Sequence, residues 1–156
     1  MLVIGNGESR KQINLDNISD FKVGCNAVYR DFFVDYLVCV DKRMMQEAIR
    51  AEVNVKGTLL YTRPDWYQQF QTIHVRKVPP LPYTGDQRWD EPFQWGSGPY
   101  AVLIGALYTK LKTVSLIGFD LHSKTNTVNN MYKGTPNYDD ADKRAVDPRY
   151  WIHQIG

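Results

Sequence analysis

Met1-Leu-Val-Ile-Gly5 runs directly into Asn6-Gly-Glu-Ser9. A short apolar run that ends in a glycine turn reads as a buried strand handing over to a helix. The same arrangement recurs along the chain. Phe21-Lys-Val-Gly-Cys25 ends at Asn26, and Tyr36-Leu-Val-Cys-Val40 ends at Asp41. Thr58-Leu-Leu-Tyr-Thr62 ends at Arg63, and Val114-Ser-Leu-Ile-Gly-Phe119 ends at Asp120. Apolar runs separated by helical segments read as parallel strands buried on both faces. The expected fold is therefore α/β, a three-layer α/β/α sandwich with a mainly parallel sheet. In an open parallel sheet the ligand crevice lies outside the carboxyl ends of the strands. Asn6, Asn26, Asp41, Arg63 and Asp120 are thus expected on one rim. A polar residue begins many ordinary loops; its recurrence at strand end after strand end points to a site.

The segments between these runs complete the pattern. A short helix is expected around Arg10 to Ile13. A better one spans Lys42 to Glu52, with Met44, Met45, Ala48 and Ile49 available for one apolar face. Pro64 to Phe70 reads as another, with proline in its first turn. Ile73 to Val78 reads as a further strand, after which Pro79-Pro-Leu-Pro82 forces an extended linker. Trp95-Gly-Ser-Gly-Pro-Tyr100 opens a central helix running to about Leu111, with Ser97 or Gly98 at its cap. The polar stretch from Asp120 to Val146 is long for a connection in a compact domain and reads as a lid or binding loop. A last helix covers Arg149 to Ile155, with Asp147-Pro148 as its cap. In this architecture a further strand is expected next, from a longer chain or from a partner.

Composition narrows the function. The chain has 156 residues, 43% hydrophobic and 23% charged, with a net charge of +2, which suits one globular domain over residues 1–156. No dense Lys/Arg block or recognition-helix motif supports nucleic-acid binding. The longest apolar stretch, Tyr100 to Leu111, is interrupted by Gly105, Thr109 and Lys110, short of the roughly 20 residues of a membrane span. Met1 already begins the first strand, so no signal peptide is expected. Cys25 and Cys39 fall inside buried strands and read as free thiols of a reducing cytosol. His74, His122 and His153 show no metal-ligand spacing, so no metal site is expected. The expectation is a cytoplasmic protein acting on a small molecule, with homo-oligomerisation left open.

Gly5-Asn-Gly-Glu-Ser9 is a glycine turn between strand and helix, where backbone amides favour anions. It matches neither the dinucleotide nor the P-loop pattern, and it also fits a plain structural turn. Gly96-Ser97-Gly98 is a second such place, where Ser97 either meets a phosphate or caps the helix. Asp41 and Asp120 suit ribose hydroxyls, a divalent ion or proton transfer, while Asp120 also suits a turn. Tyr132 and Tyr138 either stack on a ligand or anchor their loop.

Taken in order, Asn6-Gly-Glu-Ser9, Cys25-Asn26, Gly96-Ser-Gly-Pro-Tyr100 and Leu116-Ile-Gly-Phe-Asp120 resemble the motifs of bacterial sialyltransferases that use CMP-sialic acid. The resemblance covers most of the chain. It implies a Rossmann-like, inverting, metal-independent transferase with a CMP-sugar as donor and no further cofactor. Asn6 and Asn26 would then contact CMP, with Gly5, Gly7 and Ser9 of the glycine turn beside them as candidate nucleotide-binding residues, and Asp41 stands where the family has an asparagine near the ribose. Ser97 and Gly98 would hold phosphate or sugar carboxylate, and a lid tyrosine such as Tyr132 would meet phosphate; Asp120 stays a candidate from its place at a strand end. Glu8 stands where the family has proline, Asp41 where it has asparagine, and Gln94 where it has arginine. The family's general-base histidine precedes the final helix, where this chain reads Ala145-Val-Asp-Pro-Arg149. Asp147 and His122 are the residues left to act as base.

Tyr36-Leu-Val-Cys-Val-Asp41 and Leu116-Ile-Gly-Phe-Asp-Leu121 also look like a second group. That group includes archaeal 6-hydroxymethylpterin diphosphokinases and motility accessory glycosyltransferases. It implies Mg²⁺-dependent pyrophosphoryl transfer as the alternative. A non-catalytic nucleotide-binding module is the third reading. Dependence on Mg²⁺ separates the first two, and binding without turnover marks the third.

Overall fold

In the computed structural model the described residues are 1–70, 74–82, 95–121, 127–138 and 148–156. They form one six-stranded, all-parallel sheet in the order β5-β4-β3-β2-β1-β6. The strands are β1 Leu2–Ile4, β2 Lys22–Cys25, β3 Tyr36–Val38, β4 Leu59–Thr62, β5 Arg76–Lys77 and β6 Ser115–Ile117. The helices are α1 Lys42–Arg50, α2 Pro64–Phe70, α3 Ser97–Tyr108 and α4 Arg149–Ile155. Short 3₁₀ turns at Glu8–Arg10, Leu15–Asn17 and Asn26–Arg30 stand in for helices in the first two crossovers.

Each face of the sheet has its own core. Leu2, Ile4, Leu37 and Leu60 point to the side of α1, where they meet Val28, Met44, Met45 and Ala48. Val3, Val23, Val38 and Tyr61 point the other way, against Tyr100, Ala101 and Ile104 of α3. Neighbouring strand residues face opposite sides, so an unbroken apolar run serves both layers. The chain is a Rossmann-like α/β sandwich, as its apolar runs predict.

Two local features set helix positions. The Asp41 carboxylate caps α1 by accepting from the amides of Arg43 at 2.8 Å and Met44 at 3.3 Å. Helix α1 stops at Arg50, short of the expected Glu52, because the chain turns there and Glu52 takes a φ of 57°. Helix α3 lies close on β1: a Cβ on Gly105 would stand 2.7 Å from Val3 Cγ2. It ends at Tyr108, before the expected Leu111. No helix among the described residues is long and apolar enough to cross a membrane.

The sheet grows from β1 through β2, β3 and β4 to β5, and then α3 returns the chain over the opposite face to place β6 beside β1. The switch in winding direction therefore falls between β1 and β6. There the strands approach closely, and a Cβ on Gly5 would lie 2.4 Å from the Gly118 carbonyl oxygen. Gly5→Ala must push β1 and β6 apart and should cost about 1–3 kcal/mol, as overpacking does. Urea denaturation should show the midpoint falling, and a midpoint equal to wild type would contradict this packing.

Candidate functional site

The turn after β1 is latched to the end of β6. Gly7 N–H donates to the Gly118 carbonyl at 2.8 Å. Asp120 accepts the Ser9 amide at 2.9 Å and also the Ser9 hydroxyl. A Cβ on Gly7 would stand 2.4 Å from the Asp120 carboxyl carbon. The glycines at 5 and 7 thus answer to the close approach of β6 and its acid. A carboxylate at this turn repels a phosphate and suits a hydroxyl-bearing group instead.

One strand over, Asn6 is 4% exposed and joins β1 to β2. Its Nδ2 donates to the Cys25 carbonyl at 2.9 Å, and its Oδ1 accepts from Arg10 Nη2 at 2.9 Å. Arg10 Nε also donates to the Gly5 carbonyl at 2.7 Å. Beyond β2, Asn26 has a φ of 52°, the left-handed region that asparagine tolerates better than most residues. Its Oδ1 accepts the Ser97 hydroxyl at 2.9 Å, and Ser97 Oγ accepts the Val40 amide at 3.0 Å. Ser97 therefore ties the ends of β2 and β3 to α3, while Gly96 occupies the cap of its helix without a side-chain bond. Among the described residues the amides of Ser97 and Gly98 and the Nδ2 of Asn26 have no hydrogen-bond partner. Cys25 and Cys39 are free and buried, and burial pushes the Cys25 thiol up to about 12.

Residues 127–138 fold back over these strand ends. Met131 N–H donates to the Asn6 carbonyl at 2.8 Å, and Asn129 Oδ1 accepts the Glu8 amide at 2.8 Å. Tyr132 donates to Asp31 at 2.7 Å and accepts from Arg10 Nη2 at 3.2 Å. Burial first, and the Asp31 carboxylate second, push its hydroxyl up to about 12. The Tyr138 hydroxyl accepts from the Ala27 amide at 3.2 Å and, at the outer limit of a hydrogen bond, from Asn6 Nδ2 at 3.5 Å. Arg30 lies over both tyrosine rings and donates to Thr135 Oγ1 at 2.7 Å and the Pro136 carbonyl at 2.8 Å. Glu47 holds Arg30 from behind at 2.5 Å. Lys133 reaches Glu8 at 2.7 Å.

Helix α4 covers the other side. A Cβ on Gly98 would stand 2.6 Å from the Trp151 ring, which also packs at 5.5 Å against Phe119. Between β6 and α4 lies a cavity of about 570 Å³, lined by Ser9, Leu116, Phe119, Asp120, Trp151 and Ile155 among others. Its size is that of a small-molecule site.

The sequence-derived candidates thus fall in two bonded groups along one edge. Gly5, Asn6, Gly7, Ser9 and Asp120 gather at β1 and β6. Asn26 and Ser97 are bonded to each other, with Gly98 following in α3. Tyr132 lies over Arg10, and Asp41 turns to its own helix. The candidate bases His122 and Asp147 lie outside the described residues, and the cap of α4 is Pro148. Among the described residues no three His, Cys, Asp or Glu side chains gather as a metal-holding group. Sequence reasoning missed Arg10, Arg30, Glu47 and Trp151. Arg10 sits in a polar run that reads as exposed, and nothing local signals its burial. Comparison with known proteins finds no family model, no curated protein and no solved structure that the chain matches.

Two of the carboxylates that fasten residues 127–138, Glu8 and Glu47, are held below the ordinary glutamate value. Lys133 and Lys11 lower Glu8; burial raises Glu47, but the bonds from Arg30 and Tyr29 outweigh it. A carboxyl depressed in the folded state contributes above its unfolded value and loses that contribution as pH falls through the folded one. Hydrogen exchange at Met131 and Tyr138, corrected for intrinsic rate, should therefore accelerate below the ordinary value of 4.5 while β1 to β4 stay protected. Unchanged protection of 127–138 down to about pH 3, well under the ordinary glutamate range, would contradict this anchoring.

Proposed function

We propose that the chain binds a nucleotide sugar at this carboxyl edge and acts as a glycosyltransferase of the sialyltransferase-like kind, with a CMP-sugar as donor. The observation that carries the reading is spatial. Asn6, Asn26, Ser97 and Gly98 carry the resemblance in sequence, and they lie together at the carboxyl ends of β1 to β3, with Tyr132 bonded to Arg10 beside them. That edge is where a doubly wound sheet takes its ligands. The amides of Ser97 and Gly98 at the start of α3, without a partner among the described residues, suit an anion, and Asn26 Nδ2 suits a carbonyl or phosphate oxygen. The cavity beside Asp120 has room for a sugar, and the acid offers acceptors to its hydroxyls. His122 and Asp147 are the candidates for the base that takes the acceptor proton, a role worth about 10²–10⁴ in rate. Comparing transfer by His122→Ala and Asp147→Asn assigns it.

Saturating CMP at 100 times its dissociation constant should stabilise the protein by about 2.7 kcal/mol. Asn26→Ala should weaken CMP binding by about 0.5–1.5 kcal/mol for one neutral bond, or 1.5–3 where the partner is phosphate. A thermal-shift screen of CMP, CMP-sialic acid, UDP-sugars, ATP and GTP, each with and without Mg²⁺, measures both. The expected response is to the cytidine ligands and is independent of Mg²⁺. A response confined to ATP or GTP with Mg²⁺ would contradict the reading and favour pyrophosphoryl transfer.

A further inference from the structure

Arg10 is the one charged residue among the described residues that is fully buried, at 1% exposure. Its partners are all neutral: the Gly5 carbonyl, Asn6 Oδ1 and the Tyr132 hydroxyl. Its Nη1 is buried with no hydrogen-bond partner. No salt bridge joins it to a carboxylate among the described residues. The Asp31 carboxylate reaches it only through the Tyr132 hydroxyl, and a buried guanidinium without a direct counter-charge is unfavourable, since buried charges are ordinarily paired. The groups around it are also donors. Asn6 Nδ2 and the Ala27 amide both turn to the Tyr138 hydroxyl, while Arg10 Nη2 turns to that of Tyr132, whose ring lies 5.7 Å from the ring of Tyr138. Donors from two strand ends and one cation thus converge on two neutral phenol oxygens. A phosphate oxygen is a far stronger acceptor for such a set than a phenol.

We propose that Arg10 anchors a phosphate subsite, in which phosphate oxygens take Nη1 and the donors now turned to Tyr132 and Tyr138. Residues 127–138 shift to admit the anion, since the Tyr132 ring lies over the guanidinium. The planar fork of arginine suits two oxygens of one phosphate, whether free or on a nucleotide. The inference deepens the nucleotide-binding reading and depends on it only for the CMP arm of the test.

The test is calorimetry with inorganic phosphate, CMP and cytidine on wild type, Arg10→Lys and Arg10→Met, with circular dichroism to check folding. Wild type should bind phosphate, and should prefer CMP to cytidine by roughly tenfold or more, as a charge-assisted bond of about 1.4 kcal/mol or above gives. Arg10→Met should lose phosphate binding and bring CMP down to that variant's own cytidine level. Arg10→Lys keeps the charge without the fork and should give an intermediate ratio, which decides the matter if the methionine variant fails to fold. Absence of phosphate binding by wild type would overturn the subsite. So would variants that lose CMP and cytidine equally, as a purely structural arginine would cause, or that keep the wild-type ratio. Arg10-dependent phosphate binding by a protein indifferent to CMP would uphold the subsite and overturn the nucleotide reading.

Discussion

The carboxyl edge of the sheet depends on the side chain of Asn6. Its amide nitrogen bridges from β1 to the last carbonyl of β2, and its oxygen takes the Arg10 guanidinium. Its backbone carbonyl receives Met131, and so carries residues 127–138. A primary amide offers two donor hydrogens and an acceptor oxygen on one short side chain. Buried polar groups of this kind are costly unless every partner is present. The neighbouring parts therefore stand or fall together: the strand junction, the buried arginine and the returning segment. Asn26 repeats the device one strand over, where Ser97 links it to the amide of Val40 and so to β3.

The fold was legible because its signal is local. Each buried strand reads as an unbroken apolar run, and each run closes on glycine or a polar residue. Leu2, Val3 and Ile4 are all buried because both faces of the central strand are covered, which is what an apolar run without alternation implies. Helices α2 and α4 fall where proline and the following residues place them. Helix ends were less legible. The stop of α1 at Arg50 depends on a turn with Glu52 at positive φ, and glutamate carries no sign of that conformation.

The candidate site was legible as a set of strand ends but not as a set of bonds. The glycines of Gly5-Asn-Gly7 suggested a phosphate cradle, yet their surroundings explain them through Gly118 and Asp120. That contact is between residues more than a hundred positions apart, so no local pattern records it. Ser97 reads as a helix cap or a phosphate ligand; Gly96 takes the cap, and the Ser97 hydroxyl joins two strand ends to α3. Arg10 was invisible for the same reason. Its burial is created by Tyr132 and Asn6, and the run Ser9-Arg-Lys-Gln12 carries no apolar signal. Tyr132 and Tyr138 stand out as aromatics in a long polar segment, but only the folded chain shows that their hydroxyls meet the donors of Asn6, Ala27 and Arg10.

The central claim is that the carboxyl edge from β1 to β3 is the ligand-binding edge. The most direct measurement is amide chemical-shift mapping by ¹⁵N–¹H correlation spectroscopy during a CMP titration. The account predicts saturable shifts at Gly5 to Gly7, Asn26 and Ala27, Ser97 and Gly98, and along residues 127–138. Saturable shifts clustered at the opposite, amino edge of the sheet, around Lys22, Asp35, Thr58 and Ser115, would contradict it.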